Sequence, residues 1–493
     1  MIGLLTAEQS KLTDRYAIQT LGIPENLLVE HAALGALAAL RKRFGGSLFG
    51  LRGLIVAGNG NNGADALALG RLLILEGCPN LAIFTAEGKK SPGFEFQKKI
   101  LTKLGLKWAN KFPIAPFDFV IDGLFGTGLN RPLEKPANLI IEKLNSYQGK
   151  SWILSLDIPS GLNADTGMNW GNAVTACETV TFGGLKKGLV TGLAANHVGR
   201  LTLSPLPIPT TIPQLKWDSF LVEKKDIQLP PRLPSSHKGN HGHVYIFGGE
   251  GDKAGAGVLA GTGALRAGAG WVSLVVKDDA GRLLPAELMV RKLDDRLFSE
   301  NGTFVLGPGM GTDLSQVELL KRILETKWPL VLDADALTLI SEQPKLFAQI
   351  LKNRKPPILL TPHPKEAARL LGISVESVQK DRFTAAKRIA DYFNAVCILK
   401  GKGSIIASPS EKCTYVVDKG SPALAKGGSG DVLCGILAAL LSQGLNAKQA
   451  AFAGVFIHGV ASERMSERLG ETFSPLASEV ANFLGLAIGE ILS

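Results

Sequence analysis

Short apolar runs alternating with helical stretches constrain this 493-residue chain more than any other feature. Leu54-Ile55-Val56-Ala57 runs into a Gly/Asn loop, and Ala64 to Glu76 then follows a helical pattern. Ala82-Ile83-Phe84 precedes a helical stretch near Phe94 to Leu104; Phe119 to Asp122, Trp152 to Asp157 and Thr179 to Phe182 continue the series. Unbroken Val/Ile/Leu-rich runs suit strands buried on both faces, and intervening helices supply the crossovers that parallel strands need. The pattern predicts a parallel sheet wrapped by helices.

A second series starts at His243 to Phe247 and passes through Thr303 to Leu306, Leu330 to Leu332, Ile358 to Leu360 and Val396 to Leu399. It ends in long helices from Ser429 onward. Between the two series, residues 204–236 carry prolines at 205, 207, 209, 213, 230, 231 and 234 with little periodicity, and read as a linker. The expectation is two α/β domains, residues 1–222 and 223–493. No internal repeat joins them, so the halves read as different domains rather than copies.

Composition removes several classes. Apolar residues make up 45% and charged residues 20%. No apolar run approaches the roughly 18–20 residues of a bilayer span. The N-terminus turns polar and charged by Glu8 to Arg15, so it lacks the apolar core of a signal peptide. A soluble cytoplasmic protein with no membrane partner is expected. The net charge of +10 is scattered over both halves, and Arg41-Lys42-Arg43 and Lys98-Lys99 read as solvated helix faces. That balance suits anionic small ligands better than nucleic acid. The five cysteines form no CxxC pair, which argues against zinc and a disulfide framework.

The chemistry concentrates in loops that follow predicted strands. In the first half these are Gly58-Asn59-Gly60-Asn61-Asn62-Gly63-Ala64-Asp65, Asp122 to Pro132, and Asp157-Ile158-Pro159-Ser160-Gly161-Leu162-Asn163. Glycines let backbone approach a ligand, and a helix start presents free N–H groups to phosphate. Strand ends of a parallel sheet share one edge, so the three loops converge there. Asn62, Asp122 and Ser160 offer hard oxygen donors, which favours a Group I or II cation. In the second half, Lys426-Gly427-Gly428-Ser429-Gly430-Asp431 opens an apolar helix, with Asp431 placed to accept a proton from a substrate hydroxyl. Gly307 to Gly311, Asp333 to Leu337, Thr361-Pro362-His363-Pro364 and Lys400-Gly401-Lys402-Gly403-Ser404 end other strands.

On these stretches the first half resembles the NAD(P)H-hydrate epimerases, the YjeF N-terminal family. Gly22-Ile23-Pro24, the Asn-Asn-Gly-x-Asp loop and Asp157 to Asn163 carry the likeness. The resemblance implies a Rossmann-like αβα fold with potassium held by Asn62, Asp122 and Ser160. It further implies contact with the hydrated nicotinamide nucleotide from Asn61, Asn62, Gly63, Ala64 and Asp65, from Gly126, Thr127, Gly128, Leu129, Asn130, Arg131 and Pro132, and from Asp157. Asp157 or Asp65 would shuttle the proton, a choice the sequence leaves open. Ala64, Ala66 and His31 depart from the family pattern of Gly-Gly-Asp-Gly and Glu-Asn.

The second half resembles the ADP-dependent NAD(P)H-hydrate dehydratases of the ribokinase-like superfamily, on Ser236-His237-Lys238-Gly239, Thr-Pro-His-Pro and the Gly-Ser-Gly-Asp loop. The resemblance implies a second αβα domain. Ala256, Gly309, His363 and Asp431 would face the hydrated substrate; Lys400, Gly401, Lys402, Gly403, Ser404 and Gly430 would face the adenine nucleotide. Asp431 becomes the catalytic base, magnesium a cofactor and ADP a co-substrate. Together the halves resemble the bifunctional repair enzymes that act on NADHX and NADPHX, the hydrated cofactors. A homo-oligomer is expected, without a subunit count. A vitamin-precursor kinase shares the Gly-Ser-Gly-Asp chemistry but leaves the Asn61-Asn62 and Asp157 loops unexplained. A silent nucleotide sensor has no reason to keep Asp431.

Overall fold

The computed structural model describes residues 1–106, 108–209, 212–277, 284–470 and 475–493. The chain divides into one compact unit of Gly3–Ser219 and another of Met1–Ile2 with Phe220–Ser493. The stretch read as a linker is only partly irregular: it holds the strand Ser219–Leu221 and a 3-10 turn at Lys224–Asp226, while residues 210 and 211 lie outside the described residues. Its prolines leave room for this because none falls between 214 and 229.

The unit of Gly3–Ser219 is built on seven strands in the order Trp108–Ala109, Asn80–Thr85, Arg52–Ala57, Phe119–Gly123, Trp152–Leu156, Glu178–Phe182 and Arg200–Ser204. Every neighbouring pair is parallel. Numbered along the chain within this unit, the order is 3-2-1-4-5-6-7. The sheet therefore reverses direction of growth between Arg52–Ala57 and Phe119–Gly123, and a crevice opens outside their carboxyl ends. The central strands are buried on both faces, as their unbroken apolar runs require.

The larger unit repeats that order. Met289–Lys292, Trp271–Val276, His243–Phe247, Thr303–Leu306, Leu330–Leu332, Ile358–Leu360 and Val396–Leu399 run parallel, and Ser404–Ala407 and Thr414–Val417 add antiparallel strands. The helix Ser429–Ser442 lies across this sheet against Ala254–Arg266, and its apolar run from Val432 to Leu441 is buried throughout. The two helices approach backbone to backbone: a Cβ on Gly435 would sit 1.9 Å from the Ala260 carbonyl oxygen, and one on Gly263 would sit 2.4 Å from that of Val432. The strands and helices named from sequence are present within a few residues at their ends. Among the described residues no helix is long and apolar enough to cross a membrane.

The close helix approach gives a stability prediction. Gly435→Val forces the Gly-Ser-Gly-Asp helix off Ala254–Arg266 and should cost about 1–3 kcal/mol or more. Thermal denaturation should show a lower Tm for the variant.

Candidate active sites

In the smaller unit, the loops after Arg52–Ala57, Phe119–Gly123 and Trp152–Leu156 meet around a cavity of about 1090 Å³. Asn61, Asn62, Asp65, Gly126 to Pro132 and Asp157 all line it. Gly63 and Ala64 do not; they turn inward in the first turn of the helix Asn61–Leu75. A Cβ on Gly63 would lie 2.0 Å from the Gly58 carbonyl oxygen, so only glycine lets the loop close at this point. Ala64 and Ala66 are fully buried, and the Ala66 methyl packs where Gly123 has no side chain. His31 sits half-buried on the helix Glu25–Arg43, whose Glu30 pairs with Arg71.

Asp122 and Ser160 meet directly. The Ser160 hydroxyl donates to Asp122 Oδ1 at 2.6 Å, and the Ser160 amide donates to Oδ2 at 2.9 Å. Ser155 donates to the same carboxylate at 2.8 Å. Burial raises the Asp122 pKa, and these donors oppose the rise. Asn62 is the third member: its Nδ2 donates to the Phe125 carbonyl at 2.9 Å, while its buried Oδ1 has no hydrogen-bond partner. An orphaned buried carbonyl oxygen is costly unless something positive satisfies it. Asn62 Oδ1, the Phe125 carbonyl, Ser160 Oγ and Asp122 form an oxygen-only donor set, which fits an alkali cation.

Asp157 carries the other half of the site. Its backbone adopts φ 65°, a conformation L-residues visit rarely and one that clusters at functional sites. Lys186 Nζ reaches Asp157 Oδ1 at 2.5 Å and also donates to Thr181 Oγ1 and the Phe182 carbonyl. The lysine is only 1% exposed. Asp65 and Asp14 line the same cavity. Burial, then the charges of Asp157, Asp14 and Glu25, push Asp65 well above the usual carboxylate range. Burial lifts Asp14 to about 6, with Lys186 opposing and Asp157 and Glu25 adding. Glu25 also accepts from Asn61 Nδ2 at 2.9 Å. Sequence reasoning missed Lys186, Asp14 and Glu25. The first follows the strand Glu178–Phe182, so the strand-end rule that found the other loops applies to it too.

The larger unit gathers its loops in the same manner. A Cβ on Gly430 would stand 3.2 Å from Lys400 Nζ and 3.5 Å from Asp333 Oδ2, which brings the Gly-Ser-Gly-Asp helix start against the Lys400 loop. Lys400 Nζ donates to Asp333 Oδ1 at 2.6 Å and lies 4.0 Å from Glu366. Cys434 donates to Asp333 Oδ2 at 3.1 Å. Burial favours neutral forms for both ionic partners, yet Lys400 draws Asp333 below its usual pKa, and Asp333 with Glu366 holds Lys400 above its own. Burial and then the Asp333 charge, against Lys400, lift Asp431 to about 7; Glu366 is lifted to about 7 by burial, with Lys400 opposing and Asp333 adding. Ala334, directly after Asp333, has φ 43°.

The remaining expected residues take varied places. Ala256 and Gly309 adjoin, since a Cβ on Gly309 would meet the Ala256 methyl at 3.2 Å. His363 caps the helix Pro364–Leu371, its Nδ1 accepting from the Lys365 and Glu366 amides. Lys402 donates to the Asp418 and Gly420 carbonyls, so it ties loops together, and Ser404 donates to the Gly401 carbonyl. Asp333, Glu366 and Cys434 were not assigned roles from sequence, because only folding brings them to Lys400.

Fold and geometry together define a two-unit α/β protein whose polar and glycine-rich loops gather at the strand ends of each sheet, around a cavity in the smaller unit. Comparison with known proteins sharpens that class. A family model for the YjeF-related protein N-terminus matches residues 25–188, and one for NAD(P)H-hydrate dehydratase matches residues 244–482. The bifunctional NAD(P)H-hydrate repair enzyme Nnr of Coxiella burnetii is 35% identical over 490 residues, spanning 96% of both chains. That of Escherichia coli is 33% identical over 500 residues, spanning 97% of this chain and 92% of its own. The ADP/ATP-dependent NAD(P)H-hydrate dehydratase of Bacillus subtilis, crystallised with ATP and Mg2+, is 28% identical with a TM-score of 0.48, covering 55% of this chain and 97% of its own. The chain belongs to the family of bifunctional NAD(P)H-hydrate repair enzymes.

The buried pair in the larger unit yields a test of its energetics. Lys400→Met strands the Asp333 charge and should cost about 3–5 kcal/mol of stability. Adding Asp333→Asn should return most of that loss in chemical denaturation of the full chain.

Proposed function

We propose that the smaller unit interconverts the R and S forms of hydrated NADH and NADPH, and that the larger unit dehydrates the S form using ADP, releasing AMP and phosphate. The observation that carries this reading is Asp431 raised to about 7 in the first turn of a glycine-started helix, beside the buried Lys400–Asp333 pair. A carboxyl with that pKa is half ionised at neutral pH and suits proton transfer from an alcohol.

The dehydration follows from that placement. Asp431 takes the proton of the C6 hydroxyl as its oxygen attacks the β-phosphorus of ADP; the bond from that phosphorus to the bridging oxygen breaks, and AMP leaves. Amides of Gly427, Gly428 and Gly430 and the Lys400 ammonium would face the charge on the phosphoryl oxygens. The ring nitrogen lone pair then expels phosphate from C6, loss of a C5 proton gives the C5–C6 double bond, and reduced nicotinamide results. Hard-oxygen carboxyls fit magnesium, and Glu366 and Asp431 are those whose ionisation it would favour; the metal would supply charge neutralisation at the phosphates.

Epimerisation consumes no nucleotide. The ring nitrogen can expel water from C6 once the hydroxyl is protonated, and water can return to either face of the planar ring. Asp65 is held toward its protonated form and suits the donor role, while Asp157, ion-paired with Lys186, suits the acceptor. Asn62, Asp122 and Ser160 would hold potassium, which supplies a fixed positive charge beneath the loops.

Asp431→Asn should abolish dehydration of the S form, by at least about 10²-fold, and leave epimerisation intact. In the unsubstituted chain, dehydration kcat/KM should rise with pH and level off above an apparent pKa no higher than about 7, because the acting form of Asp431 is the deprotonated one and bound magnesium would favour it. The return of reduced-nicotinamide absorbance reads both; substantial turnover by the variant overturns the base assignment. Replacing potassium with lithium should slow epimerisation alone.

A further inference from the structure

The strand order of the smaller unit fixes which end of a dinucleotide goes where. In a sheet ordered 3-2-1-4-5-6, the pyrophosphate rests on the glycine loop after the first strand, and the adenosine ribose lies toward the second strand. Here the helix Asn61–Leu75 starts at Gly60 with no side-chain cap, leaving its first amides open at the cavity floor. The second strand, Asn80–Thr85, runs in register beside the first, Ala57 opposite Thr85. It delivers Ala86 and Glu87 to the cavity wall. Asp157 and Lys186 follow strands on the far side of the crevice, Trp152–Leu156 and Glu178–Phe182, with Asp65 within range of their charges, and the proposed chemistry on the nicotinamide ring would occur there.

The backbone of the loop that carries Glu87 is held from several directions. Asn59 Nδ2 donates to the Glu87 carbonyl at 2.6 Å, the Ser91 amide to the Asn59 carbonyl at 2.8 Å, and the Ala86 amide to the Ala57 carbonyl at 3.0 Å. Two lysines follow in sequence, but neither Lys89 nor Lys90 lines the cavity. Lys90 Nζ is engaged with Asn59 Oδ1 at 2.5 Å and with the Ala86 carbonyl. Of the charged residues just beyond the second strand, Glu87 is the one on the cavity wall, with the Lys90 ammonium near enough to feel its charge.

We infer that Glu87 reads the 2′-hydroxyl of the adenosine ribose and makes this site select hydrated NADH over hydrated NADPH. A carboxylate accepts from a hydroxyl there, and it repels a 2′-phosphate at the same position. The inference rests on the epimerase reading of this unit. Both partners are anions close together at a partly solvated wall, so discrimination on the order of tenfold follows.

The test uses the full-length protein and follows epimerisation of the pure R forms of hydrated NADH and hydrated NADPH. The unsubstituted chain should favour the NADH form by about tenfold in kcat/KM. Glu87→Gln should raise KM for the NADH form, lower it for the NADPH form, and bring the ratio near unity with kcat little changed. Glu87→Arg should invert the preference. Dehydration of the S forms monitors the other unit and should not respond. A merely structural Glu87 would move kcat and KM for both substrates together, and that result, or a ratio unaltered by either variant, overturns the assignment. Absence of epimerisation in the unsubstituted chain overturns the epimerase reading as well.

Discussion

Each site is organised around a buried lysine locked to an aspartate at a strand end: Lys186 with Asp157, and Lys400 with Asp333. Taking a lysine ammonium out of water costs several kcal/mol, and only a close partner with further donors and acceptors repays it. Both lysines meet that demand. Lys186 adds Thr181 and the Phe182 carbonyl, and Lys400 has Glu366 nearby, with Cys434 completing Asp333. Burial raises the carboxyls around each pair, and the pairs modulate that rise: the aspartates Asp157 and Asp333 add to it while Lys186 and Lys400 oppose it. Asp431 and Glu366 are thereby held at about 7, where a carboxyl can exchange protons at neutral pH.

The backbone cooperates. Asp157 has a positive φ itself, and Ala334 has one immediately after Asp333. Such conformations cost of order 1–3 kcal/mol and persist where surrounding structure enforces them. In both units they occur just past a parallel strand, on the edge where the sheet order turns the loops toward one another. The shared 3-2-1-4 order explains why two units of different length and sequence place their chemistry at corresponding edges.

Much of this was legible in the sequence because it is local. Strands such as Phe119–Gly123 and Thr303–Leu306 announce themselves as apolar runs, and the polar loops after them are contiguous in the chain. The rule that strand ends share an edge then brings Asp122 to Ser160 and Gly430 to Lys400 without further information. What escaped were pairings between distant segments. Lys186 lies 29 residues from Asp157, and Lys400 lies 67 from Asp333, and nothing in either neighbourhood names the other. Asp14 and Glu25 come from helices that precede the first sheet strand of their unit. Gly63 has a further role that the sequence does not announce: its missing side chain makes room for the Gly58 carbonyl.

The measurement that bears most directly on the paired-charge account is the initial rate of reduced-nicotinamide recovery from the pure R form of hydrated NADH, with ADP supplied. It compares the intact chain with Lys186→Met and Lys400→Met, each also given the pure S form. If each lysine governs its own unit, the intact chain recovers the R form, Lys186→Met recovers only the S form, and Lys400→Met recovers neither. Recovery of the R form by folded Lys186→Met as fast as by the intact chain would contradict the account.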